Sequence, residues 1–69
     1  MKAVATTGEK VRRLRRGSAM TQEQLAAASG VSPSTIVAIE RGDRPNPHPG
    51  TLGKLAEALG VSPADLLED

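Results

Sequence analysis

The chain has 69 residues, a net charge of +1, no cysteine and no aromatic residue. A chain of this length makes one small domain with a modest core, here limited to Leu, Ile, Val, Met and Ala, and it can hold no disulfide or thiolate metal site. No apolar run nears the ~20 residues of a membrane span, and the first ten residues lack the apolar stretch of a signal peptide, so a cytoplasmic location is expected.

The charge is unevenly placed. Lys2, Lys10, Arg12, Arg13, Arg15 and Arg16 supply six of the nine bases, whereas only acids (Glu57, Asp65, Glu68, Asp69) follow Lys54. A polyanion would therefore meet the first part of the chain. The run KVRRLRR reads equally as a plain solvated helix face.

In chain order, residues 1–6 read as a flexible arm. Thr6 and Glu9 fit a capping box that opens a helix over about 7–16, with Val11 and Leu14 inward and Gly17 as its stop. Thr21 and Gln24 fit a second box, opening a helix to about Ser29 with Leu25 and Ala26 inward.

The tetrapeptide GVSP then occurs twice, at 30–33 and 60–63. Each copy reads as a joint between helices. Glycine supplies the left-handed residue, serine caps, and proline takes the first helical position, where its missing N–H costs nothing. Val31 with Ile36, and Val61 with Leu66, fit hydrophobic staples. The first joint opens a helix ending near Gly42 with Ile36 and Ile39 in the core. The second opens a fifth helix, in which Ser62 caps and Asp65 completes a box. The two joints are expected to be alike. Between them, the turn-rich loop DRPNPHPG leads into a helix capped by His48 and marked by Leu52, Leu55, Ala56 and Leu59.

A helix, a short glycine turn and a second helix make the unit whose second helix enters the DNA major groove. The span TQEQLAAASGVSPSTIVAIERG resembles the phage-repressor-like (Xre/Cro-type) helix-turn-helix family. TLGKLAEALGVSPADLL is similar to that family's fourth and fifth helices, so the resemblance covers about residues 9–67. It implies an all-α fold: a compact five-helix, lambda-repressor-like domain over 1–69, with the helix-turn-helix unit at about 21–41.

The resemblance also implies roles. Gln22, at the start of the second helix, matches a phosphate contact, in keeping with the attraction of helix N-termini for anions. Arg41 matches another. Arg44 is either a further phosphate contact or a solvated loop charge. Arg15 and Glu40 match a structural ion pair between the first and third helices, costing of order 3–5 kcal/mol to break on one side. The DNA-binding surface would be Ser32, Pro33, Ser34, Thr35, Val37 and Ala38, with Pro33, Ser34, Val37 and Ala38 exposed on the third helix. These positions depart from the family's habit of Gln, Arg, Lys or Asn, which pair with base edges. Only the hydroxyls of Ser34 and Thr35 are polar there. Apolar surface can touch a thymine methyl, and duplex shape can be read without base contacts.

His48 stands alone, with no second histidine or cysteine to make a metal site. No catalytic set or nucleotide-binding loop is present, so neither enzyme activity nor a cofactor nor a small-molecule site is expected. The expected partner is double-stranded DNA, and the expected function is transcription regulation, as a repressor or antitoxin-like protein. A dimer would have to use the fourth and fifth helices or the Met1–Thr7 arm. The second reading, from a different class, is a helix-turn-helix fold used as a protein-interaction module with Val37 and Ala38 as docking patch.

Overall fold

In the computed structural model the described residues are 5–67; residues 1–4 of the expected arm lie outside them. Four α-helices follow one another: α1 (Thr7–Gly17), α2 (Gln22–Ser29), α3 (Pro33–Arg41) and α4 (Pro49–Leu59). A single 3-10 turn, Pro63–Leu66, closes the order, and no strand occurs among the described residues. α1 packs on α3, α2 on both α3 and α4, and the 3-10 turn covers α4 and α1. The core is Val11, Leu25, Ala26, Val31, Ile36, Ile39, Leu52, Leu55, Ala56 and Leu66. No helix among the described residues is long and apolar enough to cross a membrane.

The helix starts follow the capping residues. Thr6 Oγ1 accepts from Glu9 N at 3.1 Å while Glu9 Oε1 accepts from Thr6 N at 2.9 Å. Thr6 therefore belongs to α1's cap rather than to a flexible arm. Thr21 and Gln24 make the same reciprocal pair at 3.0 and 2.8 Å. His48 Nδ1 accepts from Gly50 N at 3.2 Å, so the imidazole caps α4. Gly30, Gly42 and Gly60 end α2, α3 and α4 in the left-handed region, which suits residues without Cβ. The end of α1 differs from expectation. Gly17 is its last helical residue, and the left-handed position falls on Ala19, with φ 57°.

The two GVSP joints diverge, and five α-helices become four. At the first, Thr35 N and Ile36 N both bond to Ser32 O at 3.1 Å, carrying the first turn into α geometry. Ser32 Oγ accepts from Thr35 N at 3.3 Å. At the second, the bonds Asp65 N to Ser62 O (3.0 Å) and Leu67 N to Ala64 O (3.2 Å) span three residues and stay 3-10. Here the expected box of Ser62 and Asp65 is present, but the serine hydroxyl turns to the carboxylate. Ser62 N and Oγ both donate to Asp65 Oδ2, at 3.0 and 3.2 Å. Leu67 is already extended, so the segment never makes the further turn that would repay helix nucleation. Leu66 is nonetheless fully buried, and one turn is enough to seat it.

Gly8 lies where α1 crosses α3. A Cβ there would stand 2.2 Å from Ile39 O. That closeness brings α1 against the end of α3 that carries Glu40.

Gly8→Ala is expected to lower stability by about 1–3 kcal/mol, the usual cost of forcing extra volume into a packed contact; thermal melts check it, and an unchanged melt would mean the crossing is looser than described. Ser32→Ala should cost about 1 kcal/mol, as a lost cap does, whereas Ser62→Ala should cost less than Asp65→Ala. Urea titrations of the three variants rank them.

Candidate nucleic-acid interface

One polar cluster joins α1, the start of α2 and the end of α3. Arg15 grips Glu40 in bidentate fashion: Nε donates to Oε2 at 2.7 Å and Nη2 to Oε1 at 3.0 Å. The remaining arm, Nη1, donates to Met20 O at 2.8 Å, which ties the α1–α2 turn into the same guanidinium. The Glu40 side chain is 1% exposed and that of Arg15 is 10% exposed. Burial disfavours the charge on Arg15, but the hydrogen bond to Glu40 outweighs it and holds the guanidinium above its ordinary range, fully charged.

Glu40 does more than pair with Arg15. Its Oε1 also accepts from Gln22 Nε2 at 3.2 Å, and Arg12 Nε approaches the same oxygen at 3.9 Å. Gln22 is half-buried at the first position of α2. Its amide is therefore held by α3, with one N–H used and its own carbonyl oxygen left to other partners. The capping box takes the backbone N–H groups of Thr21 and Gln24. Those of Gln22 and Glu23 are the first-turn donors that no intrahelical bond can use. Glu23, exposed in that turn, places a carboxylate close by.

The first turn of α3 is quieter than expected. Ser32, Pro33 and Ser34 are exposed, but the hydroxyls are already engaged with one another. Ser32 Oγ lies 2.8 Å from Thr35 Oγ1 and 3.4 Å from Ser34 Oγ. Val37 and Ala38, expected to be exposed, are half-buried. Neither packs on the core cluster, so both present an apolar flank between core and surface.

The other end of α3 carries cations. Arg41 and Arg44 are exposed. Asp43 N and Arg44 N fold back onto Ala38 O at 2.9 and 3.3 Å, fixing the backbone of both residues against the helix end. Arg41 Nε stands 3.8 Å from Asp43 Oδ2, with both side chains more than 60% exposed. A pair so open contributes little, but it does set an acid between the two arginines. Asp43 carried no signal in the sequence as a member of this group.

A family model for helix-turn-helix proteins matches residues 11–66. The chain belongs to the helix-turn-helix family. The helix-turn-helix repressor RghR of Bacillus subtilis is 50% identical over 54 residues, 78% of this chain and 40% of that relative. The chain spans about two fifths of the length of the first curated relatives it matches. Among solved structures, the restriction-modification controller protein C.AhdI of Aeromonas hydrophila matches with a TM-score of 0.84. It is 36% identical, over 91% of this chain and 94% of that one. The same helix-turn-helix architecture also occurs inside a larger protein. HEPD of Streptomyces albus, solved with 2-hydroxyethylphosphonate and Fe(II), matches with a TM-score of 0.86 and 30% identity, over 97% of this chain and 15% of that one.

Within the helix-turn-helix family frame, the expected Arg15–Glu40 pair is present, and the link from Glu40 to Gln22 is the feature that the sequence reading lacked. Arg15→Ala is expected to cost about 3–5 kcal/mol, because it strands a buried carboxylate. Arg12→Ala and Arg13→Ala should cost under about 1 kcal/mol, as exposed charges do. Melting the three variants side by side tests the ranking, and equal losses would contradict it.

Proposed function

We propose that this chain is a DNA-binding transcriptional regulator of the repressor or antitoxin-like kind, acting in the cytoplasm on double-stranded DNA. Its helix-turn-helix unit, about residues 21–41 of a lambda-repressor-like domain, would lay α3 in the major groove. One observation supports this most. The buried Arg15–Glu40 pair holds the Gln22 amide at the start of α2, on the carboxylate that α3 supplies, while Arg41 and Arg44 stand exposed at that same end of α3. Candidate phosphate donors thus gather at the C-terminal end of α3. The dipole at the start of α2 adds to them.

In this reading the contacts to phosphate position the protein and carry most of the affinity. Ser32, Pro33, Ser34, Thr35, Val37 and Ala38 form a small, smooth surface against base edges. Val37 and Ala38 suit a thymine methyl, and the engaged hydroxyls leave few donors for base recognition. Discrimination between preferred and random duplexes should lie at the low end of the usual ~4–10 kcal/mol. A pair of copies would bind half-sites about one helical turn, ~34 Å, apart.

A second reading keeps the fold as a protein-interaction module. Two observations favour it: the apolar flank of Val37 and Ala38, and the occurrence of this architecture as a small part of a larger protein.

Fluorescence anisotropy with selected and scrambled duplexes, over a range of salt, separates the two. Arg41→Ala should weaken binding about equally on every sequence and reduce the salt slope by about 1. Asp43→Asn should tighten binding on every sequence, because it removes the acid between Arg41 and Arg44. Absence of binding to any duplex at low salt would reject the DNA reading in favour of the interaction module.

A further inference from the structure

The arginines of α1 fall into two classes. Arg15 points inward and is spent on Glu40. Arg12, Arg13 and Arg16 are exposed, and with Glu9 they line a recess on the surface of α1. At 100° per residue these three occupy one arc of the helix, with Arg16 between Arg12 and Arg13. The Glu9 carboxylate is turned to the helix start, where Oε1 accepts from Thr6 N at 2.9 Å. Among the described residues Arg13 and Arg16 have no carboxylate within ion-pair distance. Arg12 has only a 3.9 Å approach to Glu40, whose charge Arg15 already balances.

The position of Arg12 is the informative part. Its Nε and the Gln22 Nε2 lie 3.9 and 3.2 Å from the same oxygen, Glu40 Oε1. The two groups are therefore neighbours, separated by no more than two such contacts. The Arg12 side chain is 49% exposed, so its guanidinium keeps donors for a further partner. Arg16 follows one turn along α1, on nearly the same line. A phosphate held at the start of α2 would thus have Arg12 beside it and Arg16 next along the strand.

We propose that Arg12 and Arg16 form a phosphate-binding track that continues from the start of α2 onto α1 and grips the DNA backbone beyond the reach of α3. The track rests on the DNA-binding reading above. Arg13 stands at the edge of the arc farther from Arg12: besides the first recess it lines a second one with Lys10, Leu14, Val61 and Asp65, on the side of the closing 3-10 turn. The track carries no base information, because it meets only the backbone. It adds affinity without specificity, which suits a protein whose reading helix is nearly bare of polar groups.

The test uses the full chain and a mixed-sequence duplex of about two helical turns. The salt dependence of binding is compared for wild type, Arg12→Gln, Arg16→Gln, Arg13→Gln and Lys54→Gln, the last being an exposed cation on α4. Each lost phosphate contact should reduce the salt slope by about 0.9. Arg12→Gln and Arg16→Gln are expected to show that reduction on every sequence, and Arg13→Gln and Lys54→Gln less than half of it. Arg12→Lys should keep the wild-type slope, since it preserves the charge, which a merely structural role beside Glu40 would not require. A double Arg12→Gln, Arg16→Gln variant that binds with the wild-type slope would overturn the track while leaving the DNA reading intact. Equal changes from all four glutamine variants would also overturn it, because they would report the net field alone. Wild-type protein that binds no duplex would overturn both.

Discussion

A buried carboxylate needs a partner, and in this chain the partner decides the arrangement of three helices. Glu40 sits almost fully inside, at the end of α3, where an uncompensated charge would be strongly destabilising. Arg15 of α1 meets both of its oxygens. α1 can reach that far only because Gly8 lets its backbone lie against Ile39 O. The third arm of Arg15 holds Met20 O, so the turn into α2 is tied to the same point. Gln22, the first residue of α2, then bonds to the carboxylate itself. The start of α2 and the end of α3 are thus locked together by one charged group.

An ion pair in such a place is weak evidence of stabilisation, since well-packed apolar residues often serve as well. Its geometry gives it a different value. An apolar pair could fill the space between α1 and α3, but it could not hold the Gln22 amide. The pair therefore links the fold to the proposed phosphate site. α3 itself contributes little polar chemistry: the hydroxyls of Ser32, Ser34 and Thr35 are turned on one another, and Val37 and Ala38 are apolar. Recognition then depends on where the helices stand rather than on what α3 displays, and the network around Glu40 sets where they stand.

Much of the fold is legible in the sequence because its signals are local. Thr6 with Glu9, Thr21 with Gln24, and the glycines at 30, 42 and 60 act within four residues, and each marks a helix boundary. The Arg15–Glu40 pair was legible through family resemblance, not through spacing. What escaped is what depends on tertiary approach or on competition between bonds. GVSP predicts a joint, but Asp65 takes the Ser62 hydroxyl at the second copy, and the turn remains 3-10. Gly8 reads as part of a capping sequence, and nothing local says that α3 will press on it. Gly17 reads as the stop of α1, yet Ala19 takes the left-handed position. At the site, the engaged hydroxyls of α3, the half-burial of Val37 and Ala38, and the bond from Gln22 to Glu40 all follow from packing across elements. A sequence pattern with period 3.6 cannot carry that information.

The measurement that bears most directly on this view is a double-mutant cycle read twice, once for stability and once for DNA affinity. Arg15→Met and Glu40→Leu, singly and together, would be compared by thermal melt and by anisotropy on one duplex. If the network serves the site, the apolar pair should recover most of the stability lost in the single variants while affinity stays low, because Gln22 has lost its acceptor. Affinity that returns to the wild-type level together with stability would contradict it, and would reduce the pair to a packing device.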